Sequence, residues 1–314
     1  MADLYSTRDV FGQELARIAA TNKKILAIDN DLILPPRFQA FAQKFPKRLI
    51  QLGISEQNSM GVAAGLASCG FVPFVGTIAV FATARGFDQI RQSIALSRAN
   101  VKIVGVLAGI EGGEDGSTHH AIEDIALMSS IPNMTIVEPA DASEVPAVLK
   151  EILKLDGPVY LRLGKSSVLN SGKFSGFKIG QSKVLGEGSD ISIMTSGILA
   201  GTALAVSKAL SKKGIGTLVV NISSIKPIDK EIIIKTAKKT ASVVVFENHS
   251  IYGGLTSIIS RIICSHHPVR IRSVSINDEF LGSGTIDSLI AKAGLTFDNL
   301  YKVCMDEYLK KIKR

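Results

Sequence analysis

At 314 residues, 46% hydrophobic and 20% charged, the chain is long enough for two ordinary domains with sizeable cores, which excludes a disordered or fibrous protein. A net charge of +8 suits anionic ligands, but the basic residues are scattered and no run interleaves aromatics with bases, so nucleic acid is not the expected partner. Cys69, Cys264 and Cys304 form neither a metal-ligand spacing nor an even disulfide framework, which points to a reducing cytoplasm.

In chain order, Ser6 or Thr7 caps a first helix bearing Val10, Phe11, Leu15 and Ile18, without the continuous apolar core of a signal peptide. Strand-like runs follow at 25–28, 49–52, 71–75, 101–107, 134–137 and 159–163, with helical patterns between them, one at 144–154. The stretch from Gln57 to Ala84 carries no charge, which by composition alone could pass for a membrane span. Pro73 and its glycines divide it into a Gly/Ala helix near 57–68 and a strand near 71–75, so a buried soluble segment is expected.

From Gly164 to Asp190 the composition turns to Gly, Ser and Lys, as in a surface linker. A second series follows, with strands at 191–194, 217–220, 243–246 and 269–274 and helical runs at 200–213 and 230–239. Lys302, Lys310, Lys311, Lys313 and Arg314 look like a solvated helix end. The fold class is α/β, with two α/β domains of mainly parallel sheets that divide near residues 165–190. Ligands of such sheets gather at the carboxyl ends of the strands, hence in the loops 29–37, 51–57, 76–81, 108–120 and 247–254.

Two of these loops carry notable chemistry. Glu56 lies at the mouth of the uncharged stretch, where desolvation suits a carboxylate to hold or share a proton. The plainer alternative is a first-turn acid favoured by its helix dipole. The glycine-rich loop 109–120 sets Asp115 and His119 four positions apart, able to bind polar substrate groups or move protons. Its plainer role is a surface loop in which Ser117 or Thr118 caps a helix at 121–128. His119 and His120 have no third ligand at a matching spacing, so no metal is assigned. Gly164-Lys165-Ser166 imitates the end of a P-loop, but the upstream glycine would fall on Val159, and no dinucleotide fingerprint follows a strand.

The segments Gly53-Ile-Ser-Glu56-Gln, Val80-Phe81-Ala-Thr, Gly113-Glu-Asp115-Gly-Ser-Thr-His119, Ile131-Pro-Asn-Met-Thr, Glu138-Pro-Ala-Asp141, Ser224-Ile-Lys-Pro-Ile-Asp229 and His249-Ser-Ile-Tyr-Gly-Gly254 are individually weak. In order and register over nearly the whole chain, they resemble the C-terminal half of a transketolase. The resemblance implies a pyrimidine-binding domain over 1–170, a linker over 171–189 and a transketolase C-terminal domain over 190–314. It implies one subunit of a split, two-polypeptide transketolase that uses thiamine diphosphate with Mg²⁺ for ketol transfer from a ketose to an aldose.

By match to the family motifs, Glu56 meets the aminopyrimidine N1′, Phe81 stacks on the ring, and Asp31 lies near the thiazolium. Asp115 and His119 match the pair that contacts donor hydroxyls, His119 counting with Glu56 as catalytic. Ile78 and Ala84 stand where further aromatics are usual. His249 is expected to be structural, and Tyr252-Gly253-Gly254 a tight turn. No Gly-Asp-Gly occurs in the sequence, so the diphosphate and metal are expected on an N-terminal-half partner, within an α2β2 heterotetramer.

In the family's acceptor-phosphate cluster Arg8 is matched, but the expected serine is Pro35, the histidine is Leu107 and the arginine is Lys165. Arg37 compensates if its loop turns inward. This departure implies an unusual sugar, or an anionic end bound differently. Three alternatives remain open here: the β chain of a 2-oxoacid dehydrogenase, a deoxyxylulose-phosphate synthase relative, and a non-catalytic paralogue that only binds a partner.

Overall fold

The computed structural model describes residues 4–169 and 172–312, and contains two sheets of mainly parallel strands. The first has seven strands in the order Ser224–Lys226, Thr135–Val137, Val159–Leu163, Lys102–Val106, Val72–Ile78, Ile25–Asp29 and Leu49–Gln51. All pair in parallel except Ser224–Lys226, which runs antiparallel to Thr135–Val137. The second has five, in the order Arg270–Ile276, Ser242–Ser250, Ile191–Thr195, Thr217–Asn221 and Lys183–Leu185. Ile25–Asp29, Lys102–Val106, Val159–Leu163 and Ile191–Thr195 are buried throughout, because helices cover both faces, and so they read as mostly apolar runs, with Asp29, Lys102 and Arg162 as buried exceptions.

Ser6 caps the first helix, Thr7–Ala19, accepting from the Asp9 N–H, and Phe11 and Leu15 fill the core beneath it. The uncharged stretch divides as expected into a helix, Glu56–Ser68, and a strand, Val72–Ile78. Among the described residues no helix is long and apolar enough to cross a membrane.

The presumed linker is more structured than its composition indicates. Val168–Leu169 pairs with Leu4–Tyr5, Lys183–Leu185 forms the edge of the second sheet, and Phe174 is buried between Ala140 and Ala200. Short strands paired on one side need no long apolar run, so composition hides them. The helix expected at 121–128 is Asp124–Ser130, and neither Ser117 nor Thr118 caps it. The C-terminal helix, Phe297–Ile312, carries exposed Lys302 and Lys310, while Lys311 Nζ donates to the carbonyls of Ser189 and Asp190. Lys313 and Arg314, and the expected domain limit at 170–171, lie outside the described residues.

Candidate active site

Five parallel strands of the first sheet, Thr135–Val137, Val159–Leu163, Lys102–Val106, Val72–Ile78 and Ile25–Asp29, end on the same side and bring their following loops together. Three non-glycine residues there adopt left-handed backbone: Asp31 (φ 61°), Arg37 (φ 59°) and Leu107 (φ 59°). Backbone of this kind is costly and is held by its surroundings.

Glu56 opens the Gly/Ala helix and is 3% exposed. Its Oε1 accepts from the Thr77 hydroxyl at 3.5 Å, and Arg85 Nη1 donates to Oε1 at 3.3 Å and Oε2 at 3.2 Å. Arg85 closes a widened, π-helical turn, Phe81–Arg85, a geometry often met at functional sites. The turn puts its first and last side chains together, with the Arg85 guanidinium carbon 3.9 Å from the Phe81 ring centroid. The edge of that ring meets His119, with centroids 5.0 Å apart and planes at 72°. Glu56, Phe81 and His119 therefore form one cluster through Arg85, beside a cleft of about 580 Å³ lined by Ile54, Ser55, Glu56, Gln57, Asn58 and Arg85.

Asp115 and His119 end two consecutive 3-10 turns, Gly113–Asp115 and Ser117–His119, joined at Gly116 with φ 79°. The Thr118 hydroxyl lies 3.0 Å from His119 Nδ1 and so orients the ring rather than capping a helix. The loop rests on the second domain. Ser117 Oγ accepts from the Gly282 N–H, Asn248 Oδ1 accepts from the Ile110 N–H, and Asn248 Nδ2 donates to the Ala108 carbonyl. Among the described residues no group of three or more His, Cys, Asp or Glu is placed to hold a metal ion.

A second cluster gathers the positions matched to the acceptor end. Arg8, 9% exposed, donates from Nη1 to the Pro35 carbonyl at 3.3 Å, while its Nε has no partner. Burial lowers its pKa, and so does nearby Arg37. Arg37 does not turn inward; it pairs with Asp9 and donates to the Leu34 carbonyl. Glu111, buried and pushed upward in pKa by that burial, accepts from the backbone N–H groups of Lys165 and Ser166, both at 2.8 Å. It thereby fixes the backbone from which the exposed Lys165 side chain extends. Leu107 is 5% exposed and offers no polar atom. Asp31 is exposed and makes no hydrogen bond or ion pair to either cluster; its N–H donates to Gln51 Oε1, which also accepts from Gly53 ahead of Glu56.

Behind the site Arg162, 1% exposed, donates from Nε to Asp124 at 2.7 Å, pairs with Glu138 through Nη1, and donates from Nη2 to the Asn248 carbonyl at 2.9 Å. Burial alone would lower its pKa, but Asp124 and Glu138 outweigh that and hold it charged. His249 is buried beside them, its Nδ1 at 2.8 Å from the Ser250 carbonyl and its Nε2 accepting from Ala126 N–H. It touches no member of either cluster. Arg85, Glu111 and Asn248 escaped the reading of the sequence. Only Arg85 carried a signal, as the first charge after the uncharged stretch and four positions beyond Phe81.

Residues 4–169 match the transketolase pyrimidine-binding domain, and residues 180–300 the transketolase C-terminal domain. The chain belongs to the transketolase family. It is similar to the 6-deoxy-6-sulfo-D-fructose transketolase subunit SqwH of Clostridium sp. (strain MSTE9), 38% identical over 92% of this chain and 90% of that protein. It is likewise similar to one subunit of the apulose-4-phosphate transketolase of Phocaeicola vulgatus, 34% identical over 98% of this chain and 99% of that one. Among solved structures, a split-gene transketolase described as an inactive β4 tetramer superposes with a TM-score of 0.89 at 39% identity, covering 97% of this chain and 98% of that chain. The chain is thus a transketolase-type transferase subunit of a thiamine diphosphate-dependent family, and its reaction is ketol transfer.

Proposed function

We propose that this chain is the pyrimidine-binding half of a split transketolase, completed by an N-terminal-half subunit that carries the Gly-Asp-Gly motif and holds the diphosphate and Mg²⁺. The observation that carries it is that the Arg85 guanidinium joins the Glu56 oxygens to the Phe81 ring face beside the cleft lined by Ile54–Asn58 and Arg85. A flat, hydrogen-bonding ring fits such a place, with a carboxylate at its edge and an aromatic on its face. Ile54 at the rim is 72% exposed, as suits a surface that a second subunit covers, and α2β2 is the expected assembly.

Thiamine diphosphate bound there would supply a carbon nucleophile for ketol transfer. Glu56 holds the pyrimidine edge and shares a proton at N1′. Phe81 would orient the ring, and Asp31 is assigned to the thiazolium by its match to the family motif. Asp115 and His119 hold the donor hydroxyls, with His119 moving a proton there. A buried carboxylate and an imidazole suit such transfers.

Arg8 and Lys165 are proposed to hold the far, anionic end of the sugar. The two relatives are named for a sulfonated and a phosphorylated sugar. An anionic sugar outside the ordinary pentose phosphates accords with this chain, because Arg8 keeps an unpartnered, buried Nε while Pro35 and Leu107 donate nothing from their side chains.

Isothermal titration with thiamine diphosphate and Mg²⁺ tests the assignment. Stoichiometric binding is expected only after the partner is added, followed by ketol transfer that is faster on sulfonated or modified sugar phosphates than on xylulose 5-phosphate with ribose 5-phosphate. Tight binding by the isolated chain would overturn the division of labour.

A further inference from the structure

We propose that Arg85 is a positioning residue that stands in for the pyrimidine in the free chain and must leave for the cofactor to enter. The inference rests on the assignment of Glu56 and Phe81 above. A guanidinium and an aminopyrimidine share the features the site reads, being planar, having a face that stacks on an aromatic ring, and carrying N–H donors in the plane.

Arg85 uses both features at once. It lies over the Phe81 ring at 3.9 Å and donates to both Glu56 oxygens at 3.2 and 3.3 Å. Among the described residues Glu56 has no other cationic partner. The same ring face and the same two oxygens cannot serve a second planar group together, so the two occupants exclude each other. The side chains of Glu56 and Arg85 differ sharply in exposure, 2% against 48%, which leaves the carboxylate fixed and the guanidinium free to swing into the cleft it lines.

Arg85 therefore keeps a buried carboxylate paired until the subunits meet, and cofactor binding has to displace it. An ion pair and a cation–π contact made by a half-exposed guanidinium are weak, so the competition should alter the apparent affinity by about threefold to tenfold.

The test is titration of thiamine diphosphate, at saturating Mg²⁺, into the reconstituted pair carrying Arg85→Ala, Arg85→Lys or Glu56→Gln. Arg85→Ala should bind about threefold to tenfold more tightly than wild type, with Arg85→Lys between them because an ammonium pairs but does not stack. Nitrogen-detected magnetic resonance of the arginine side chains adds a readout that a merely structural residue would not move. The Arg85 signal, identified by its loss in Arg85→Lys, should shift to a solvent-like position on Phe81→Leu substitution in the free chain, and on cofactor addition to the pair. Equal or weaker binding by Arg85→Ala, or an Arg85 signal that ignores both changes, overturns the proposal. If Arg85→Ala unfolds, Arg85→Gln serves the same titration. Wild-type affinity and turnover in Glu56→Gln would instead sink the cofactor assignment beneath it.

Discussion

Asn248 Oδ1, on the strand Ser242–Ser250 of the second sheet, accepts from the N–H of Ile110 at 3.2 Å, in the loop that carries Asp115 and His119. The second domain therefore braces the loop that carries Asp115 and His119. Gly109 completes the brace with φ 64°, where an added Cβ would come within 2.2 Å of the Asn248 side chain. Asn248→Ala leaves the Ile110 N–H without a partner, at a cost of about 1–3 kcal/mol, while the Ala108 carbonyl keeps the Glu111 N–H as its donor. The melting temperature should fall, and KM for the donor ketose should rise while cofactor affinity holds. Steady-state kinetics on the reconstituted pair, beside a cofactor titration, reads both; an unchanged KM would confine the contact to stability.

Glu56→Gln keeps the shape of the side chain but cannot share a proton. Turnover should fall about a hundredfold to ten-thousandfold. The partner it loses, Arg85, is half exposed, so the fold should survive with little change in melting temperature. Donor cleavage within threefold of wild type would count decisively against the proposed role.

Arg162 binds two carboxylates and a carbonyl in a region without solvent. Arg162→Met strands Asp124 and Glu138 as buried charges, and a loss of about 3–5 kcal/mol is expected in urea unfolding. Adding Glu138→Gln should recover part of it, because one stranded charge disappears. Strict additivity of the two changes would show that the pair does not act as a unit.

Burial pushes Glu247 up to about 7, although the Thr256 hydroxyl and nearby N–H groups pull it down. Below its ordinary value near 4.5 the folded and unfolded chains both hold the proton. As pH climbs from there to about 7, only the folded chain keeps it, so stability drains away and the loss is complete above that value. Glu247→Gln should flatten the fall in stability across this window, by on the order of 1–3 kcal/mol. Glu144, also pushed up to about 7 by burial, keeps a residual slope in the variant. Parallel denaturant curves at a series of pH values check it, and identical slopes would refute the assignment.

The strands around 101–107, 159–163 and 191–194 were legible because both faces of each are buried, leaving a mostly apolar run in which Lys102, Arg162 and Ser192 are single interruptions. Lys183–Leu185 and Val168–Leu169 were not, since a short strand on an edge leaves almost no pattern in a segment rich in Gly, Ser and Lys. The helix start near 121 was misplaced because Thr118, a good cap by type, spends its hydroxyl on His119. Glu56 stood out as a lone acid before an uncharged stretch. Its pairing with Arg85, and the contact of Arg8 with the Pro35 carbonyl, join residues 29 and 27 positions apart, and such pairings exist only once the strands have assembled.

Ser224–Lys226 belongs by sequence to the second half of the chain, yet it hydrogen-bonds along Thr135–Val137 and closes that end of the first sheet. Lys226 adds Nζ contacts to the carbonyls of Ser129 and Ile131. A polypeptide break between residues 172 and 182 would thus leave two fragments still stitched together by backbone. If the first fragment were synthesised without the second, the outer backbone groups of Thr135–Val137 would lie bare, ready to recruit a strand from any neighbouring molecule. A gene that divides this enzyme has good physical reason to divide it elsewhere.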